Sequence, residues 1–151
     1  GQADAIFGGT WNVAGVQLEG VGAEPVIKRM QTLGAPLYEE LVLIARKDLL
    51  AKRPQLVRDI VAAVGRGTAL ASKNYPAGYK AMEEADEQDR DYGPNVTLPA
   101  FEMTLPILSK SGRVNLGKAR NLIRWMHEEG MLQHQIPVSE LITNAYLPGH
   151  P

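Results

Sequence analysis

The chain has 151 residues, 44% of them hydrophobic, enough for one domain with a substantial core. A net charge of -1 offers no basic face for nucleic acid or an anionic membrane, and no apolar run approaches the roughly 20 residues that span a bilayer. The absence of cysteine excludes disulfides, thiolate metal sites and cysteine nucleophiles.

Taken in order, the chain opens on the stretch around which the rest is organised, residues 3–12. Residues 4–7 are too few for a helix and suit a buried strand, while Gly8 and Gly9 allow positive φ and close approach by another molecule. Thr10 or Asn12 is placed to cap a following helix over residues 12–19, whose amide N–H groups would face the glycines, with Trp11 as a flat apolar wall. The bland alternative is a packing turn with Trp11 filling the core. The turn is neither a Walker loop nor a dinucleotide fingerprint. No basic region or signal-peptide core precedes it, and this start reads as the interior of a longer protein.

Residues 25–28 read as a brief strand. After the loop at residues 33–37, residues 41–45 are the strongest buried-strand candidate. Tyr38, Glu39 and Glu40 stand where that loop enters the strand, so a carboxylate there can accept hydrogen bonds from an amine-bearing ligand or simply solvate a strand end. The pattern then turns helical: one turn over 47–51, and a helix from Pro54 to about Ser72 with Val57, Ile60, Val61, Val64 and Thr68 as its inward stripe and Gly65 and Gly67 permitting close packing. A further helix runs from Pro76 to about Ala85, with Ala77, Met82 and Ala85 inward.

The acidic run 83–91 lacks calcium-loop spacing and reads as a polar helix end and loop. Three prolines interrupt the next segment, and residues 97–108 fit either a short helix or irregular structure. Residues 116–131 form the clearest helix, with Leu116, Ala119, Leu122, Ile123 and Met126 on one face and Gly130 at its end. A last helix covers 138–146. His127-Glu128-Glu129 lacks the second histidine of a zincin, and His134 and His150 have no companion ligands in sequence. No nucleophile elbow or Ser, His and Asp pattern points to a hydrolase, and no cofactor motif is present.

Four blocks carry a resemblance: Ala-Ile-Phe-Gly-Gly-Thr-Trp-Asn-Val (5–13), Leu-Gly-Ala-Pro-Leu-Tyr-Glu-Glu-Leu-Val-Leu (33–43), Arg-Trp-Met-His-Glu-Glu-Gly-Met-Leu (124–132) and Leu-Ile-Thr-Asn-Ala-Tyr-Leu (141–147). In order and spacing they resemble the second half of thiamine-precursor and alkanesulfonate-type periplasmic binding proteins. The resemblance implies an α/β chain, part of a type II periplasmic-binding-protein fold and helix-rich towards its C-terminus, in which residues 1–151 form the C-terminal half of a two-lobe solute-binding domain. It implies a ligand held between lobes, hinge closure on that ligand, delivery to the membrane subunits of an ABC transporter, a periplasmic or extracytoplasmic location, and no catalysis or cofactor.

The residues that carry over from the resemblance are Gly8, Gly9, Trp11, Asn12, Tyr38 and Glu40, and with Thr10 and Glu39 they make up the expected ligand-binding set. An aromatic ring and a carboxylate suit an aminopyrimidine, while Glu39 and Glu40 would repel a sulfonate or nitrate, although amides at the Asn12 helix start could hold such an anion. Glu39 stands where the family often has Asp. A pyrimidine-synthase enzyme on the same fold is the alternative from another class, but its cysteine-rich motif has no counterpart here. A homo-oligomer covering an exposed apolar face is a third expectation.

Overall fold

In the computed structural model, which describes residues 3–85 and 93–149, the regular structure is helical. The helices are α1 (Ala14–Gly20), α2 (Lys47–Lys52), α3 (Pro54–Lys73), α4 (Tyr75–Ala85), α5 (Pro94–Thr104), α6 (Leu116–Glu128) and α7 (Val138–Leu141), with single 3₁₀ turns at Met30–Leu33 and Leu105–Ile107. The chain divides into two compact units, one of Gly1–Lys28 with Gly67–Leu108 and the other of Arg29–Arg66 with Ser109–Pro151.

In the first unit α1 packs against α5. The approach is close because residue 20 is glycine: a β-carbon there would stand 2.7 Å from Val96 Cγ2. Val16 is buried, as are Asn12 and Thr97. The aromatic rings of α4 meet α5 edge-on, with Tyr75 and Tyr79 at 5.1 Å and 5.6 Å from Phe101 between ring centres, a geometry that sets the positive ring edge against a negative face. Tyr79 Oη and Thr97 Oγ1 share a 2.6 Å hydrogen bond. Pro94 opens α5 where its missing N–H costs nothing, and the segment the sequence left undecided continues as helix through Pro99.

In the second unit α6 carries the core. Asn115 caps it, its Oδ1 accepting from the Gly117 and Lys118 amides at 2.9 Å and 3.1 Å. Ala119 and Ile123 are buried on the expected stripe, with Ala35 and Val57 elsewhere in the unit. Gly130, at φ +73°, turns the chain away, and the Met131 amide returns to the Met126 carbonyl. Asn144 pins the chain that follows α7: it accepts from the Val114 amide at 2.9 Å and donates to the Val114 carbonyl at 3.0 Å. Arg58 of α3 donates to the Ala145 carbonyl and lies over the Tyr146 ring, 5.4 Å from its centre.

Several expectations are corrected. No strand forms among the described residues, so the α/β reading is not what they show. Residues 4–7, 25–28 and 41–45 lack ladder partners, and a strand exists only where a neighbour takes its N–H and C=O groups. Phe7, Leu41 and Ile44, read as buried, are each more than 80% exposed, as is Val26 of the expected brief strand. Gly65 and Gly67 pack against nothing, since a β-carbon at either meets no atom within 4 Å, and Ile60 and Val64 on the same helix are exposed. On α4, Tyr75, Gly78 and Tyr79 face the neighbouring helix rather than Ala77 and Ala85. Helix α7 ends at Leu141, well short of residue 146. The acidic run 83–91 falls mostly outside the described residues, as does His150.

Candidate functional site

The first candidate stretch lies in the first unit. Gly8 has φ +84°, a conformation that penalises any residue with a β-carbon, and Gly9 would bring its own to 3.3 Å from that of Ala14. The glycines therefore shape a tight, exposed turn. Neither Thr10 nor Asn12 caps α1 by its side chain: the N-cap position is Val13, without a side-chain hydrogen bond, and the Thr10 carbonyl instead accepts from the Val13 and Gly15 amides. Asn12 points inward. It is only 8% exposed, and its Nδ2 donates to Thr104 Oγ1 at 2.7 Å, while that hydroxyl donates to the Ala100 carbonyl. Its amide therefore ties the turn to α5, where an apolar replacement would strand the threonine's second hydrogen-bonding site. Trp11 is half-buried and already engaged with neighbouring residues.

Helix α1, with seven residues, is also too short to make the amides at its start an anion site. The glycines, Thr10 and Trp11 remain the ligand-facing candidates of this stretch.

The second stretch lies in the second unit. From Ala35 to Arg46 the chain runs without helix, turn or bend. Tyr38 is half-buried. Glu39 Oε1 accepts from Lys118 Nζ at 3.2 Å, a pair whose side chains are 28% and 37% exposed, so the charge of Glu39 is already answered by α6. Glu40 is exposed. Lys118 is the residue that sequence reasoning missed, because nothing local connects a lysine on α6 with a glutamate so far upstream.

Tyr38 and Glu40 flank Glu39 in sequence, and of the two carboxylates only Glu39 is held by Lys118. A ring beside an exposed carboxylate can stack on a flat heterocycle and accept from its exocyclic amine, whereas a carboxylate held by lysine is less available for that role.

An open depression of about 420 Å³ in the second unit is lined by Ser111, Arg113, Val114, Asn115, Leu116 and Asn144. Three of its polar side chains serve the backbone: Ser111 Oγ accepts from the Arg113 amide, Asn115 caps α6, and Asn144 holds Val114. Among the described residues no group of three His, Cys, Asp or Glu side chains is placed to hold a metal, and no helix is long and apolar enough to cross a membrane.

These features suit contact with a small molecule, and comparison with known proteins gives that class a family. A family model described as NMT1/THI5 like matches residues 1–77, a span that contains both candidate stretches. The chain belongs to the NMT1/THI5-like family. The family includes thiamine-precursor and sulfonate-type solute-binding proteins, has the periplasmic-binding-protein fold, and consists mainly of substrate-binding proteins associated with ABC transport, typically periplasmic or extracellular. It also includes a pyrimidine synthase. Searches of curated proteins and of solved structures found no match.

Proposed function

We propose that the chain is part of the substrate-binding component of an ABC importer and contacts a thiamine pyrimidine precursor or a similar small amino-heterocycle without turnover. The observation that carries this reading is the half-buried Tyr38 and the exposed Glu40 two residues apart on a stretch without helix or turn, within the family-matched residues. An aminopyrimidine offers a flat face to the ring and N–H donors to the carboxylate. The Gly8-Gly9-Thr10-Trp11 turn is a separate candidate contact surface, with an exposed backbone at the glycines and an indole beside them.

A sulfonate or nitrate finds less here. Lys118 is taken by Glu39, and the start of α1 offers too short a helix. The partners of this reading are the small-molecule ligand and the membrane subunits of the transporter, and its compartment is periplasmic or extracytoplasmic. In this reading the chain supplies the C-terminal half of the binding domain.

Isothermal titration calorimetry against hydroxymethylpyrimidine, taurine and nitrate tests the reading. Saturable heat with the pyrimidine alone, reduced at least tenfold in affinity by Glu40→Gln, is the expected result. Heat with taurine and none with the pyrimidine overturns the choice of ligand.

A further inference from the structure

Among the described residues, 36–45 make no backbone hydrogen bond, and one side-chain hydrogen bond ties them to a helix: Lys118 Nζ donates to Glu39 Oε1 at 3.2 Å. Both partners belong to the second unit, so the pair is closed within it. The ammonium is carried by an anchored element. Lys118 stands in the first turn of α6, and its own amide donates to the Asn115 cap at 3.1 Å. The two side chains are 37% and 28% exposed, against 83% and 47% for Arg46 with Asp48, so water and salt screen this pair less.

The consequence concerns charge at the neighbouring residue. Glu39 and Glu40 are consecutive, with α-carbons about 3.8 Å apart, so a molecule held at Glu40 lies within the Debye length of Glu39, about 10 Å at 0.1 M salt. Were Glu39 unanswered, that molecule would meet two carboxylates, and a cation would gain from the second an attraction that an uncharged molecule would not. Lys118 cancels that attraction from 3.2 Å away.

We propose that Lys118 is a specificity-determining residue: by neutralising Glu39 it makes the stretch 38–40 favour an uncharged amino-heterocycle over a cationic one. This rests on the reading that Tyr38 and Glu40 contact the ligand. Lys118 acts through Glu39 and need not touch the ligand itself.

Two probes of nearly the same shape separate charge from fit. Hydroxymethylpyrimidine is uncharged slightly above neutral pH, and aminomethylpyrimidine carries a primary ammonium in place of the hydroxyl. The quantity to measure by titration calorimetry is the ratio of the two affinities. Lys118→Met should shift that ratio about threefold towards the ammonium probe at low ionic strength, and added salt should shrink the shift. Lys118→Arg, which keeps the charge, should leave the ratio as it is. Glu39→Gln exposes the lysine's charge and should shift the ratio about threefold the other way, and combining Lys118→Met with Glu39→Gln should restore it.

A lysine that merely held the backbone would, when removed, weaken both probes alike and leave the ratio unmoved. Circular dichroism confirms that each variant keeps its helices, and Glu39→Gln tests the same pair from its other side if Lys118→Met does not fold. Wild-type binding of the pyrimidine together with an unchanged ratio in either folded single variant, or shifts of the same sign in both, would overturn the proposal alone. No binding of either probe by the wild type would overturn the reading of function, and the proposal with it.

Discussion

At the scale of single residues, the same chemical change takes opposite signs according to what surrounds it. Gly78 of α4 lies against α3, where a β-carbon would come 2.7 Å from the Ala71 backbone, so Gly78→Ala must move two helices apart. Overpacking of this kind costs about 1–3 kcal/mol. Gly65→Ala, in the open interior of α3, meets nothing and should stabilise by about 0.5–1 kcal/mol through a smaller loss of backbone entropy. Thermal melts of the two variants should move in opposite directions. If both rise, α3 and α4 do not pack as closely as the structure has them.

Asn12 gives the other lesson at this scale. Its sequence position beside the glycines and Trp11 read as ligand-facing, yet the side chain is spent on Thr104, a partner far along the chain that no local pattern announces. Glu39 was separated from Glu40 in the same manner, by Lys118 of α6. The turn itself was legible, because a positive φ at Gly8 is a local demand. Which of its side chains remain available to a ligand was not.

At the scale of elements, helix α6 was readable in its start and its buried stripe, although it ends at Glu128 rather than at residue 131. Its stripe repeats every three to four positions, a polar cap precedes it and a glycine follows it, so the information is carried within the helix itself. The Asn115 cap satisfies two amides at once, and Asn115→Ala should cost about 1 kcal/mol, measured as a lowered denaturation midpoint with an unchanged denaturant slope. No loss would mean that the amides of the first turn are satisfied without the side chain.

The extended segments show the reverse. Residues 41–45 have a strand's composition, but pairing is a property of two segments, and no other described segment supplies the second. The same apolar run therefore reads as core in the sequence and stands in water in the structure. Helix α5 was obscured for a different reason, since prolines at both ends and at position 99 suppress the usual signal while leaving the helix intact.

At the scale of the whole molecule, the two compact units draw on different means of holding their parts together. The first relies on Tyr75, Tyr79 and Phe101 with the hydrogen bond from buried Asn12 to Thr104. The second relies on the stripe of α6 and on Asn144 fastening Val114 from both its amide and its carbonyl. Family membership and the function proposed from it rest on residues in both units, so contact by either candidate stretch with a ligand has to be read separately.

The chain contains two tryptophans, Trp11 in the glycine turn and Trp125 on α6, and Trp125→Phe leaves Trp11 as the only indole reporter. The most direct test of the central claim is a titration of that variant with hydroxymethylpyrimidine, following Trp11 emission, with taurine titrated in parallel. A saturable change with the pyrimidine and none with taurine is the predicted result. A saturable response to taurine with no response to the pyrimidine would contradict the account.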